Sequence, residues 1–403
     1  MNSNKKQNNT IFKTIMTIIA TAIITFVITT VWIYGKGGNG STETAIGNAV
    51  KSNYLSAKLS AIRKKIDNEY IGNVNENDLI EGAIKGYVEG LNDPYSEYLT
   101  VDEMADFTED TEGEYVGIGV YITKDTKNNE IVVYGTMPNS PAQEAGLKTG
   151  DIIINIDGED CNGDDFDTIT NKIKGKEGTK VKITILRDNK EEVFEIERKH
   201  IEVEHIISNV LENNIGYIYI SSFEGNVAKQ FEEAYDDLAS KGITSLIIDV
   251  RNNGGGIVDE CLDIGDLLTD KDETLLIERD KNGKEIVEKS KKDKKINMKV
   301  TLLVNEYSAS ASEILAGIVK EVVDGAVVIG NTTYGKGVIQ TIYPLSDNSG
   351  LKITTDEYFT PNHNEINKIG IEPDIKVDDY TFTGSLDLEK DTQLKKAIEE
   401  LKK

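Results

Sequence analysis

Cysteine, histidine and positive charge are scarce in this chain of 403 residues, and each scarcity removes a class of function. The two cysteines, Cys161 and Cys261, stand far apart and without metal-ligand spacing, so neither a disulfide framework nor a metal centre is indicated. The histidines number three: His200, His205 and His363. His200 and His205 fall in an alternating, strand-like segment, Lys199–Ile207, where a structural role fits. None stands where a Ser-His-Asp triad would need it, so a hydrolytic site here would use another base. Lys plus Arg total 45 against 70 Asp plus Glu, a formal charge of -25. Nucleic acid is therefore excluded as the expected partner, because phosphates need a basic surface. No cofactor, nucleotide or metal is implied. The length fits two or three domains.

One long apolar run is present. Ile15–Tyr34 carries no charge over 20 residues, enough to span a bilayer as a helix. Lys5, Lys6 and Lys13 precede it, and the next lysine is Lys36. The positive-inside rule then predicts a cytoplasmic tail over 1–10, a single-pass anchor over 11–34, and the rest of the chain outside the cell membrane. A cleaved signal peptide is the alternative; the run is longer than a usual h-region and no small-x-small site ends it. Residues 35–50, rich in Gly, Thr and Ser, read as a flexible tether. Helical periodicity follows at about Tyr54–Tyr70 and Glu76–Leu91, within a helical region over 51–110. Asn92-Asp93-Pro94-Tyr95-Ser96 reads as a turn.

Near Glu112 the period changes to two, in Tyr115–Ile122 and again in Ile131–Tyr134. Gly117-Ile118-Gly119-Val120 lies in the first run. From His200 onward strands and helices alternate, which predicts an α/β core. A hairpin with Lys281-Asn282-Gly283 as its turn is expected over Thr274–Lys289. A charged helix, Leu386–Leu401, closes the sequence, with its packing left open.

Three motifs occur in the core region. Asp249-Val250-Arg251-Asn252-Asn253-Gly254-Gly255-Gly256 follows an apolar strand. Ser308-Ala309-Ser310-Ala311-Ser312-Glu313 sits between the buried run Val300–Val304 and a helical pattern containing Ile314, Leu315, Ile318 and Val319. Gly335-Lys336-Gly337-Val338-Ile339-Gln340 places a lysine between glycines. The serine segment also reads as a capping box, with Ser310 at N-cap and Glu313 three residues on. The glycine run is not a P-loop, since Ile257-Val258 stands where Lys-Ser/Thr would be needed.

Together these motifs resemble those of the carboxyl-terminal processing proteases, also called tail-specific proteases. Leu91–Leu99 is similar to that family's N-terminal region, and Pro138–Gly158 with Gly117–Val120 resembles its PDZ domain. Glu372-Pro373-Asp374-Ile375 matches the closing segment of its core. The resemblance implies a multidomain α/β plus β chain: membrane anchor, helical segment, PDZ domain (111–190, its last strand near Arg187), crotonase/Clp-like α/β protease core (191–378) and a C-terminal helix (379–403). It implies serine endopeptidase activity by a Ser–Lys dyad, with Ser310 as nucleophile, Lys336 as general base and Gln340 orienting the lysine. The choice of Ser310 over Ser308 and Ser312 rests on the family motif. Ala311 would supply one oxyanion N–H and Gly255 or Gly256 the other, with Glu313 in support. Gly117, Ile118, Gly119 and Val120 would bind a peptide carboxylate. The implied partners are protein substrates with unstructured C-termini, besides the membrane, and a homo-oligomer stays open. A catalytically silent PDZ adaptor and a crotonase-like acyl-CoA enzyme are the competing readings. The chain departs from the family pattern in a longer Ser-to-Lys spacing and in lacking Ser-Gly-Arg after Thr360-Pro361.

Overall fold

The computed structural model describes residues 42–125, 128–161, 166–378, 382, 386 and 388–403. The expected cytoplasmic tail and membrane anchor lie outside these residues. Among the described residues no helix is long and apolar enough to cross a membrane.

Helix α1 (Thr42–Glu69) begins inside the stretch that composition marked as a tether, so residues 42–50 are helical instead. Helix α2 (Glu76–Glu89) follows. The Asp93-Pro94-Tyr95-Ser96 turn leads into β1 (Glu97–Leu99), and then α3 (Val101–Glu112), a helix that the periodicity did not reveal. Its ends are well marked. Thr100 and Glu103 form a capping box, and Gly113 closes the helix at φ 67° in the left-handed region.

Strand β2 (Glu114–Gly117) enters the next domain, which is built from β3 (Val120–Asp125), β4 (Glu130–Thr136), α4 (Pro141–Ala145), β5 (Ile152–Ile156), β6 (Glu159–Asp160), α5 (Phe166–Ile173), β7 (Lys180–Arg187) and β8 (Lys190–Glu197). The sheet order is β3-β4-β5-β7-β8, all pairs antiparallel, with β6 on β5. Arg187 closes β7, and one further strand, β8, extends the domain to Glu197. Alternate residues such as Val181, Ile183 and Ile185 pack with Ile118, Val133, Ile153 and Ile169 into a core of its own. Strand β3 is an open edge of this sheet. The chain leaves through β9 (Lys199–Glu202), which pairs antiparallel with β2, so a two-stranded ribbon carries the domain.

The main sheet contains β10 (Ile206–Leu211), β11 (Ile215–Ile220), β12 (Ser245–Asp249), β15 (Lys299–Val304), β16 (Val327–Gly330) and β19 (Ile375–Lys376), in that order. All neighbours from β11 onward are parallel. Its strands read as continuous apolar runs because both faces are covered. On one face lie α6 (Val227–Ser240), α7 (Val258–Leu268) and α8 (Ala311–Glu321), around Ile248, Leu302 and Phe231. On the other lies the C-terminal helix α9 (Thr392–Leu401), whose Leu394 and Ala397 pack against Ile247, Leu303 and Ile329. A second sheet joins β13 (Thr274–Asp280) and β14 (Glu285–Lys289), the expected hairpin, to β17 (Val338–Pro344), β18 (Gly350–Phe359) and β1. The core is thus α/β with an added antiparallel layer; the glycine and serine motifs follow β12 and β15 of the main sheet, and the lysine motif leads into β17 of the second.

Candidate active site

Ser310 occupies the turn between β15 and α8. Its backbone sits at φ 55°, ψ −117°, a conformation that a non-glycine residue holds only when its surroundings impose it, at about 1–3 kcal/mol. The neighbouring serines supply that imposition. The Ser308 hydroxyl donates to the Val250 carbonyl (2.8 Å), and that of Ser312 donates to the Asn253 carbonyl (2.9 Å). The Ala309 N–H donates to the same Asn253 carbonyl (3.0 Å). Both flanking hydroxyls are wholly buried and donate to backbone carbonyls, whereas Ser310 is 9% exposed and its hydroxyl donates to no carbonyl among the described residues. The geometry therefore separates three serines that the sequence could not.

The capping box is present. Glu313 does reach back: its Oε2 accepts the Ser310 N–H at 2.9 Å. The same carboxylate also accepts the Lys336 N–H (2.8 Å), the Gly335 N–H (2.7 Å) and the Thr333 hydroxyl (2.6 Å). Glu313 thus joins the serine turn to the lysine turn. Burial pushes its carboxyl pKa up, and the four bonds oppose that push. Three of the four partners are N–H groups with nothing to accept, so the ionised carboxylate is the form that satisfies them.

Lys336 opens onto a cavity of about 460 Å³ that Ser310, Gln340, Gly254 and Gly256 also line. Burial lowers the lysine pKa, and the positive charge of Lys352 lowers it further, against the pull of Glu313 and Asp93. Its Nζ lies 4.9 Å from the centre of the Tyr95 ring, so the Asp-Pro-Tyr-Ser turn covers the lysine. Gly337 is required by contact: a Cβ there would meet the Asn367 N at 2.3 Å. The segment after Thr360-Pro361, where the family pattern fails, backs this turn, and Lys368 N–H donates to the Gly335 carbonyl (2.7 Å). The Gln340 amide donates to the Thr354 hydroxyl (3.2 Å), and Gln340 lines the same cavity as the lysine.

The glycine loop follows β12. Gly255 packs against the serine, since a Cβ on it would lie 2.7 Å from Ser310 Cβ, and its φ of 107° also favours glycine. Its N–H donates to the Asn253 side chain (2.8 Å). The N–H of Gly256 has no such partner among the described residues, and Gly256 faces the cavity. Behind the loop Arg251 is wholly buried, paired with Asp249 (2.6 Å) and Asp391 (2.7 Å), with the Phe382 ring 4.1 Å away. Asp391 is also the N-cap of α9. The motif arginine thus braces the loop from beneath and ties it to the C-terminal helix.

The loop Gly117–Val120 lies in the other domain. The Ile118 carbonyl accepts from Ala142 N–H (2.8 Å), and the Gly119 carbonyl from Met137 N–H (2.9 Å) and the Ser140 hydroxyl (3.0 Å). The Ile118 side chain is buried in that domain's core, while Val120 starts the open edge strand. His200 pairs with Glu114, His205 with Ser221 and Gln230, and His363 with Glu285. None of the three lines the cavity. Sequence reasoning did not find Tyr95, Asn253 or Tyr358; Tyr95 was signalled only by its motif.

Comparison with known proteins places the chain in a family. The model of Peptidase family S41 matches residues 214–377, that of a PDZ domain 116–197, and that of the activating protease CtpB N-terminal domain 18–103. A probable CtpA-like serine protease of Staphylococcus haemolyticus is 37% identical over 79% of this chain and 64% of its own length. The carboxy-terminal processing protease CtpA of Bacillus subtilis is 34% identical over 83% of this chain and 72% of its own. A solved photosystem II D1 C-terminal processing protease is similar at 26% identity, covering 79% of this chain and 86% of that one, with a TM-score of 0.46. The chain therefore belongs to peptidase family S41, the carboxy-terminal processing proteases, which are serine-type peptidases.

Proposed function

We propose that this chain hydrolyses peptide bonds with a Ser310–Lys336 dyad. One observation carries the reading: of three serines in the turn, only Ser310 has a hydroxyl proton not given to a backbone carbonyl, and it shares a cavity with a lysine whose pKa burial depresses. Neutral Lys336 takes the proton as the Ser310 oxygen attacks the carbonyl carbon. The tetrahedral oxyanion is met by the N–H groups of Ala311 and Gly256, because that of Gly255 is already given to Asn253. Lysine, now charged, returns the proton to the leaving amine, and water hydrolyses the acyl-enzyme. Gln340 is placed to steady the lysine.

The PDZ domain captures unstructured protein C-termini. Its open β3 edge suits strand addition by a peptide, with the carboxylate held at Gly117–Val120. The run Ile15–Tyr34, with lysines before it, anchors the chain in the cell membrane with the catalytic part outside. Digestion of an unfolded test protein, together with labelling by a fluorophosphonate, decides between this reading and a silent adaptor. The unmodified chain should cleave and be labelled, and Ser310→Ala should do neither. A Ser310→Ala protein that still cleaves would end the dyad reading.

A further inference from the structure

Tyr358, on β18, is 1% exposed, and its hydroxyl stands between the two dyad residues. It lies 3.1 Å from the Ser310 carbonyl oxygen and also bonds the Lys336 carbonyl oxygen. Both partners are acceptors and a phenol carries one hydrogen, so that hydrogen is shared between them. Glu313 meanwhile accepts the N–H groups of the same two residues. The backbones of serine and lysine are therefore joined twice: by a carboxylate through their N–H groups, and by a phenol through their carbonyls.

The carbonyl side has an effect that the N–H side lacks. In a planar trans peptide the C=O and the following N–H point in opposite directions. The Ser310 carbonyl shares its peptide plane with the N–H of Ala311. A carbonyl held against Tyr358 turns the Ala311 N–H the opposite way. The next peptide is held as well, because the Cys261 thiol donates to the Ala311 carbonyl (3.1 Å). Rotation of the first peptide would withdraw one of the two oxyanion donors.

We propose that Tyr358 is a positioning residue: its shared hydroxyl fixes the orientation of the Ala311 N–H and couples it to the backbone of Lys336. This rests on the Ser–Lys reading above. Burial, followed by the charge of Glu313, keeps the phenol pKa well above its ordinary value, so the group stays a donor.

Tyr358→Phe removes the hydroxyl and keeps the ring. Four quantities test it: kcat and KM on one peptide, the affinity of a peptide boronate, and the thermal midpoint by circular dichroism. A boronate bound to Ser310 becomes a tetrahedral anion with an oxygen where the intermediate's would lie. We expect kcat and boronate affinity to fall together, by about 10-fold or more, with KM nearly unchanged, since a lost oxyanion donor costs on the order of 10²–10³ and a misdirected one somewhat less. A tyrosine that serves only packing would lower the thermal midpoint and leave the folded Tyr358→Phe enzyme with undiminished kcat and boronate affinity; that result overturns the proposal. Tyr358→Met, which also lacks the hydroxyl but refills the space flexibly, provides a second route. If neither variant folds, the hydroxyl serves stability and the positioning role is rejected. Ser310→Ala is assayed alongside. If it is active, the dyad reading fails; if it is inert while Tyr358→Phe is fully active, the positioning role alone fails.

Discussion

The turn at Ser310 and the loop at Gly117–Val120 both border short strands, and in our reading both offer backbone N–H groups to a negatively charged oxygen. Their surroundings differ sharply. Around Ser310 nearly every polar group is spoken for: Ser308, Ser312, Asn253, Glu313 and Tyr358 each bind backbone of the turn or of its neighbours. Around Gly119 the carbonyls are tied back, but the adjacent strand edge is left open along β3. A site that must stabilise charge during a reaction gains from donors that do not reorganise. A site that must accept many peptide sequences gains from a free edge, where the main chain supplies the bonds.

The contrast is broken most severely at the base. Lys336→Arg keeps the charge but cannot deprotonate in a working range. It should lose at least about 10²-fold in kcat/KM, as Lys336→Ala does, because general-base catalysis contributes roughly 10²–10⁴. His200→Ala, His205→Ala and His363→Ala should keep most activity when folded. In the unmodified enzyme the active form is the neutral lysine, so kcat/KM should rise with pH through a midpoint below that of an ordinary lysine. A folded and active Lys336→Arg enzyme would assign the base elsewhere.

Glu313→Gln tests how far the pinning matters. The glutamine amide turns one acceptor into a donor that faces other donors, so the site loses charge-assisted bonds of about 1.5–3 kcal/mol each. Urea unfolding should show a loss of about 2–4 kcal/mol, with kcat falling even where the protein remains folded. Unchanged stability would remove Glu313 from the frame of the site.

The open loop should show a smaller and more selective effect. A Cβ at Gly119 would stand 2.4 Å from the Ser140 Cβ, at a φ of 67°. Gly119→Ala should therefore weaken binding of a free-acid peptide to the PDZ domain while leaving hydrolysis of a short internal peptide nearly intact. An amidated peptide should bind the unmodified domain about 10-fold less well, roughly one charge-assisted hydrogen bond. Equal binding of acid and amide forms would sink carboxylate capture.

The smallest effect lies at the seam between the two domains. His205 follows β9, and burial lowers its pKa below the ordinary value of about 6.5. The folded protein prefers it neutral, and the unfolded chain protonates first as the pH falls. Stability from this group is thus full above about pH 6.5 and declines below it, by at most about 1.4 kcal/mol per pH unit. His205→Gln should flatten that slope in urea titrations at several pH values.

Much of this architecture was legible because it rests on local patterns. Alternation marked the PDZ strands, unbroken apolar runs marked the parallel sheet, and glycines flanked the lysine. What stayed hidden depends on contacts distant in sequence. Which serine is free is decided by Val250 and Asn253, about sixty residues upstream of the turn. Gly255 and Gly256 look alike until Asn253 claims the N–H of one. Helix α3 escaped notice because its apolar residues are few, and Thr42–Asn48 because Gly and Thr disguise a helix. The charged pattern of the last helix concealed a face that covers the main sheet, with Leu394 and Ala397 fully buried.

The Arg251–Asp391 pair has a consequence for the order in which this protein comes into being. Its partners lie 140 residues apart in sequence. A chain emerging from the ribosome carries the arginine, the serine and the lysine long before it carries Asp391. Until then a buried cation has only Asp249 to answer it, and breaking such a group's pairing typically costs about 3–5 kcal/mol. The loop that would receive the oxyanion is therefore expected to settle last. A chain that stops short of Asp391 should therefore lack activity although its serine and lysine are already made. Chains halted on either side of Asp391 would show this directly, with fluorophosphonate labelling appearing only in the longer ones.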